Sequence, residues 1–155
     1  MEIRKAEAAD ADIIYSLVQD TINHAYGKYY NADELQFFID WHSKDAVIND
    51  INKGEVYVLT DGAVVLATCT VDGSHIARLF VDKAHMRRGY GSFILQFIEK
   101  QLLEEYGYCL LDTSIPAKEF YLKRGYCVTD KQEVEIKDGV FMQYEVMKKT
   151  KRSEI

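Results

Sequence analysis

The sequence predicts one α/β (α+β) domain, a mixed and mostly antiparallel sheet flanked by helices, in the order β-α-α-β-β-β-α-β-α-β-β. Three observations carry that expectation. Asp61-Gly62, Asp72-Gly73 and Asp138-Gly139 each sit between strand-like runs, a hairpin signal that makes the joined strands antiparallel. The amphipathic run "GSFILQFIEKQLLEEYG" (Gly91 to Gly107) lies between two strand-like runs, and such a β-α-β step needs a parallel pair. A chain of 155 residues, 48% hydrophobic, is long enough for one core. Together these exclude an all-parallel doubly wound sheet.

The elements follow in order. "MEIRKAE" alternates as a first strand. In "ADADIIYSLVQDTINHAYG", Asp10 is the expected N-cap, Ile13, Ile14, Leu17, Val18, Ile22 and Ala25 share a face, and Gly27 is the expected stop. Asn31 and Glu34 have capping-box spacing before "ADELQFFIDWH", a second helix that "SKDAVINDI" continues or restarts. "EVYVLT", "AVVLATCTV" and "SHIARLFVD" are three strands joined by Asp-Gly turns. The long helix ends at Gly107. "YCLLDTSI" is a strand, and "PAKEFYLKRG" a short helix with Pro116 at its start and Gly125 at its end. "YCVTDKQEVEI" and "VFMQYEVMKK" close the sheet. Residues 1–148 make the domain and 149–155 a short charged tail.

Composition narrows the function. The start is too charged for a secretory signal, and the longest apolar stretch, Ala63 to Val71, is far below the ~20 residues that cross a bilayer, so no membrane partner is expected. Cys69, Cys109 and Cys127 lack metal-ligand spacing and lie in apolar runs, which suits buried free thiols in a cytoplasmic protein. The four histidines form no metal-binding pair, so no metal is expected. A net charge of −6 and a pI near 5.2 argue against nucleic acid as a partner.

One stretch runs against local electrostatics. In "HMRRGYGS", Arg87 and Arg88 stand at the N-terminus of the long helix, where the dipole already favours anions over cations. Glycines there let successive backbone N–H groups approach a ligand, and a multiply charged anion would offset the repulsion. Two phosphate templates do not fit. No lysine precedes Ser92 as a P-loop requires, and Ile94 stands where a dinucleotide fingerprint needs its third glycine.

"MRRGYGS" after "RLFVDKAH" resembles the acetyl-CoA segment of GNAT-superfamily N-acetyltransferases, [QR]xxGx[GA]. "SIPAKEFYLKRGY" resembles their second segment through Ala117, Phe120, Tyr121, Gly125 and Tyr126. The order and spacing of the two segments extend the resemblance over nearly the whole chain. Met86 departs from the Gln/Arg position, and Ser114 stands where many members have asparagine.

The resemblance implies a GNAT-like fold and an N-acetyltransferase that moves an acetyl group from acetyl-CoA, a cosubstrate, to a primary amine. Attack is direct, in a ternary complex. It implies that the amides of Arg87, Arg88, Gly89, Tyr90, Gly91 and Ser92 hold the pyrophosphate. The pantetheine then pairs with Leu79 and Val81, the Val81 amide polarises the thioester carbonyl, and Ser114 supplies one hydrogen bond. Tyr121 stands at the general-acid position. His75 is the candidate base, expected to alternate onto one face with Ala77, Leu79 and Val81, with a water relay as the alternative. Tyr26, Tyr29, Tyr30 and His42 are the expected acceptor pocket, whereas Phe37, Phe38 and Trp41 read as core by periodicity. The acceptor is a small-molecule or protein amine, and a homodimer is compatible with the domain. The alternative is a catalytically silent acyl-CoA-binding regulatory domain on the same fold.

Overall fold

The computed structural model describes residues 1–152. Its elements are β1 (Glu2–Lys5), α1 (Ala11–Ala25), α2 (Ala32–Trp41), α3 (Lys44–Asn52), β2 (Val56–Asp61), β3 (Val64–Asp72), β4 (His75–Val81), α4 (Tyr90–Tyr106), β5 (Tyr108–Thr113), α5 (Lys118–Leu122), β6 (Cys127–Lys137) and β7 (Val140–Thr150). One seven-stranded sheet runs β1-β2-β3-β4-β5-β7-β6. The β4–β5 pair is parallel and every other pair is antiparallel. All three Asp-Gly turns close hairpins.

Two apolar clusters cover the two faces of the sheet. Ile94, Leu95, Ile98 and Leu102 of α4 pack on Leu66, Ile76, Leu111 and Met147. On the other side Ile14, Val18 and Ile22 of α1 and Val47 of α3 pack on Val58 and Phe80. Burying side chains of this size contributes about 1.5–3 kcal/mol each, so both faces hold the sheet firmly.

Local chemistry explains the helix boundaries. Asn31 accepts from the Glu34 amide at 2.9 Å and Glu34 accepts from the Asn31 amide at 3.0 Å, the expected capping box. The following helix restarts instead of continuing, because Ser43 accepts from the Ala46 amide at 3.2 Å and caps α3. Asp10 does not cap α1. Its carboxylate turns back to Arg4, at 2.7 and 3.0 Å, and to the Glu7 amide at 2.7 Å, because a bidentate guanidinium pair outcompetes a single amide. α1 ends at Ala25, ahead of Gly27, and Ile13, expected on its apolar face, is 50% exposed because one residue's rotation of about 100° from Ile14 carries it off the buried stripe. The last strand extends through Thr150, two residues into the stretch assigned to the tail, and Cys127 is exposed where a buried thiol was expected.

Candidate functional site

β4 and β5 pair only at His75–Leu110 and Ile76–Leu111 and then part. Directly beyond the last pair, β4 bulges. Thr70 pairs with Ala77 and Thr68 with Phe80, so β4 passes three residues where β3 passes two. Arg78 at the bulge has φ +43°, a left-handed conformation that costs a non-glycine residue about 1–3 kcal/mol. Buried contacts hold it there: Arg78 donates from Nε to His42 Nδ1 at 2.9 Å and through a second nitrogen to the Asp50 carboxylate.

The bulge inverts the alternation. Ile76 joins the cluster beneath α4, yet Phe80, four residues on, joins the one beneath α1, while Leu79 and Val81 pack toward α4. His75 and Ala77 therefore do not share a face with Leu79 and Val81, contrary to the expectation from simple alternation. The inserted residue also aims backbone into the gap. The Asp82 amide bonds Leu66 O across to β3, so Val81, one residue earlier, points its amide and carbonyl away from β3. Thr21 Oγ1 donates to that carbonyl at 3.1 Å, and β5, which pairs with β4 only as far as Ile76–Leu111, offers the Val81 amide no ladder partner.

The first hydrogen bond of α4 runs from the Phe93 amide to Gly89 O, which leaves the amides ahead of Phe93 outside the helical ladder. The two glycines differ in what they do. Gly89 has φ +83°, and a Cβ there would meet nothing within 4 Å, so it serves backbone shape in front of open space. Gly91 is buried, and its Cβ would lie 3.3 Å from Val81 Cγ2 and 3.5 Å from Phe120 Cζ. It lets the helix start press against β4 and α5. Arg87 also has a positive φ, +65°, and both Arg87 and Arg88 project into solvent. Arg124, which sequence reasoning missed, donates from Nε to Ser92 Oγ at 2.8 Å and stacks over Phe120 at 3.6 Å, so it adds a third cation at this helix end.

A cavity of about 220 Å³ opens where β4 and β5 part. Tyr121 lines it and is 93% buried overall; burial raises its pKa well above that of a free tyrosine, and among the described residues no hydrogen bond engages its hydroxyl. Ser114 lines the same wall, with Tyr26 Oη 3.4 Å from its Oγ, and the Ile115 amide donates to Tyr30 Oη at 2.8 Å. Burial pushes the Tyr26 hydroxyl up to about 12. Leu79 is part of the lining.

This geometry meets what is known of other proteins. The family model for the acetyltransferase (GNAT) domain matches residues 27–149. The chain belongs to the GNAT acetyltransferase family. A GCN5-related N-acetyltransferase from Rhodopseudomonas palustris superposes with a TM-score of 0.85 at 20% identity, covering 96% of this chain and 94% of that one. PaiA N-acetyltransferase from Thermoplasma acidophilum, solved in complex with coenzyme A, gives 0.76 at 16% identity over 96% and 98%. A GNAT-family acetyltransferase from Streptococcus agalactiae 2603 gives 0.77 at 17% over 98% and 96%. These likenesses show the GNAT fold. No curated protein sequence matches this chain.

On the far side of this GNAT cleft, α2 faces β4. Tyr26, Tyr30 and His42 line the cavity, but Tyr29 is not among its residues and is 48% exposed, because the turn after α1 rotates it outward. Trp41 and Phe37 replace it. They stack at 5.6 Å on the cavity wall, and Trp41 is 62% exposed, so helical periodicity misplaced it in the core. His75 lines the cavity too, with Nε2 3.6 Å from Asp112 Oδ1; that contact raises its pKa against the burial that lowers it. Arg78 and Asp112 were both missed. Each is a single charge inside an otherwise apolar strand run, and that was the available signal.

Among the described residues no group of histidines, cysteines and carboxylates forms a metal site, and no helix is long and apolar enough to cross a membrane.

Proposed function

We propose that this GNAT domain transfers an acetyl group from acetyl-CoA to a primary amine by direct attack in a ternary complex. The observation that carries the reading is the parting of β4 and β5 beyond Ile76 and Leu111. It leaves the Val81 amide, which points away from β3, without a ladder partner on β5, next to a cavity that Leu79 and Tyr121 line. The neighbour from T. acidophilum, which has this fold, was solved with coenzyme A.

Acetyl-CoA supplies an activated thioester. The open space before Gly89 and the amides ahead of Phe93 fit a diphosphate, with Arg87 and Arg88 offsetting its charge. Leu79 and Val81 offer backbone groups to the pantetheine arm, and the Val81 amide polarises the thioester carbonyl. Ser114 offers a hydroxyl to the same arm. Tyr121 keeps its proton across the physiological range and donates it to the departing sulfur; burial that raises the tyrosine pKa also raises that of a thiol beside it, so the match survives desolvation. His75, held by Asp112, is the cavity's base for the amine proton, since His42 is held too far down to accept one at neutral pH.

The test is an acceptor screen that follows CoA release from acetyl-CoA across an amine library. Acceptor-dependent release is expected. Binding of acetyl-CoA with no release for any amine would mark a silent CoA-binding domain instead.

A further inference from the structure

His42 ends α2, only 8% exposed, with its ring edge-on to Phe80 at 5.5 Å and its carbonyl accepting from Gln19 Nε2 at 2.9 Å. Its Nδ1 accepts from Arg78 Nε at 2.9 Å. A guanidinium cannot accept, so Nδ1 carries no proton and the single proton of the neutral ring sits on Nε2. Protonating Nδ1 would set one N–H against another beside a fixed positive charge. The Asp50 carboxylate on α3 binds the other side of the same guanidinium and keeps it in place. Burial first, and Arg78's charge second, push the imidazole down to about 3.

Nε2 has no protein partner among the described residues. Among the described residues no buried side-chain nitrogen or oxygen lacks one, and His42 lines the acceptor side of the cavity, so Nε2–H opens onto it. The other titratable groups on that cavity are His75 and Asp112, paired with each other, and tyrosines that burial holds protonated. An ammonium offers only donors and gains nothing from another donor. An oxygen does.

We propose that Arg78 fixes His42 as a neutral Nε2–H donor facing the acceptor pocket, so that His42 selects amines carrying a hydrogen-bond-accepting oxygen and takes no part in proton transfer. The selection rests on the acetyltransferase reading of the pocket; the tautomer lock does not. The reactive nitrogen then lies toward Tyr121 and His75, the oxygen toward His42, and the apolar body between them against Tyr26, Phe38 and Trp41.

Two measurements test this without relying on turnover. In the first, the imidazole resonances of the four histidines are followed by NMR from pH 5 to 8, with His42→Gln assigning the His42 signal. The His42 signal stays fixed in the native protein; in Arg78→Met the charge that opposes protonation of Nδ1 is gone and the midpoint moves upward, with burial still holding it below that of a free imidazole. A native His42 that titrates with a midpoint inside the window overturns the proposal whether or not Arg78→Met folds.

In the second, Trp41, the chain's one tryptophan and His42's neighbour, reports binding of phenylalaninamide and 2-phenylethylamine by fluorescence. Comparing the ratio of the two affinities across variants cancels their different basicities. The native ratio favours the oxygen-bearing amine. It falls roughly three- to tenfold in His42→Phe, the scale of one hydrogen bond, and is retained in His42→Gln, whose amide still donates. A native protein with no preference, or a ratio that His42→Phe leaves unchanged, overturns the selection. Retained selection without CoA release from any acceptor would sink the enzyme reading alone.

Discussion

The two ends of the cleft are made of different material. At the α4 end the groups on offer are backbone amides beside Gly89 and Gly91, and the side chains add net charge through Arg87, Arg88 and Arg124. At the α2 end the groups on offer are side chains, drawn from α1, α2, α3, β4 and β5, with Arg78 in contact with both His42 and Asp50. A backbone site constrains a short stretch of sequence, because only glycine permits its angles and approach. A side-chain site constrains scattered positions whose meeting depends on one bulge. The first end therefore suits a ligand common to a family and the second a ligand particular to one member.

Substitutions at the two ends should separate accordingly. The largest effect is expected where the ends meet. Tyr121→Phe should lower kcat by ~10²–10⁴-fold, the usual cost of losing a general acid, while KM for acetyl-CoA stays within a few-fold. Because the hydroxyl has no protein partner among the described residues, the melting temperature should hardly move, and steady-state kinetics with a thermal melt check both halves. A tyrosine that only packs would give wild-type kcat.

The next effect belongs to the acceptor end and needs no substrate. The native His42 imidazole is held below its unfolded pKa of about 6.5, so as pH falls below that value the unfolded chain takes up a proton that the folded chain refuses. Stability is present in full above pH 6.5 and is lost at about 1.4 kcal/mol per pH unit toward pH 3, roughly 2 kcal/mol by pH 5. Urea unfolding at pH 7 and 5 should show native protein losing that much more than His42→Gln. Equal losses would mean that the imidazole titrates normally in the fold.

At the other end, Arg88→Glu should weaken CoA binding roughly tenfold at low ionic strength, with the gap narrowing as salt screens an exposed charge. Acceptor KM should be unaffected, and a change confined to the acceptor would break the division of the cleft. The smallest effect is expected from Trp41→Ala. At 62% exposure the ring contributes little to stability, so acceptor KM should rise by roughly fivefold, about 1 kcal/mol of lost aromatic contact, with CoA affinity unchanged.

The same division decides what can be read from the sequence. The order of elements along the chain, the hairpins and the Arg-Gly helix start were legible because Asp-Gly turns, capping residues and glycine requirements act within a few residues. Ser43 showed its preference only as a restart. His75 was assigned to the wrong face because the inserted residue at Arg78 is silent in an alternation count: "HIARLFV" looks regular, and the register slip appears only when β3 pairs beside it. Trp41 and Tyr29 were exchanged for a related reason. Periodicity identifies the apolar stripe of a helix, but the neighbour at the end of that stripe is here a cavity. Arg78 and Asp112 left a trace as lone charges in apolar strands, while Asp50, on an amphipathic helix, left none.

The central claim is that the open N-terminus of α4 holds the phosphates of acetyl-CoA, and calorimetric titration of CoA into native protein and Gly89→Val tests it most directly. A Cβ there meets nothing within 4 Å beyond its chain neighbours, but valine strains the left-handed backbone and projects into the open space before the helix. Saturable one-to-one binding by the native protein is expected, with binding abolished in a Gly89→Val protein whose circular dichroism is unchanged. A native protein that takes up no CoA, or a folded Gly89→Val that binds it normally, would contradict the account.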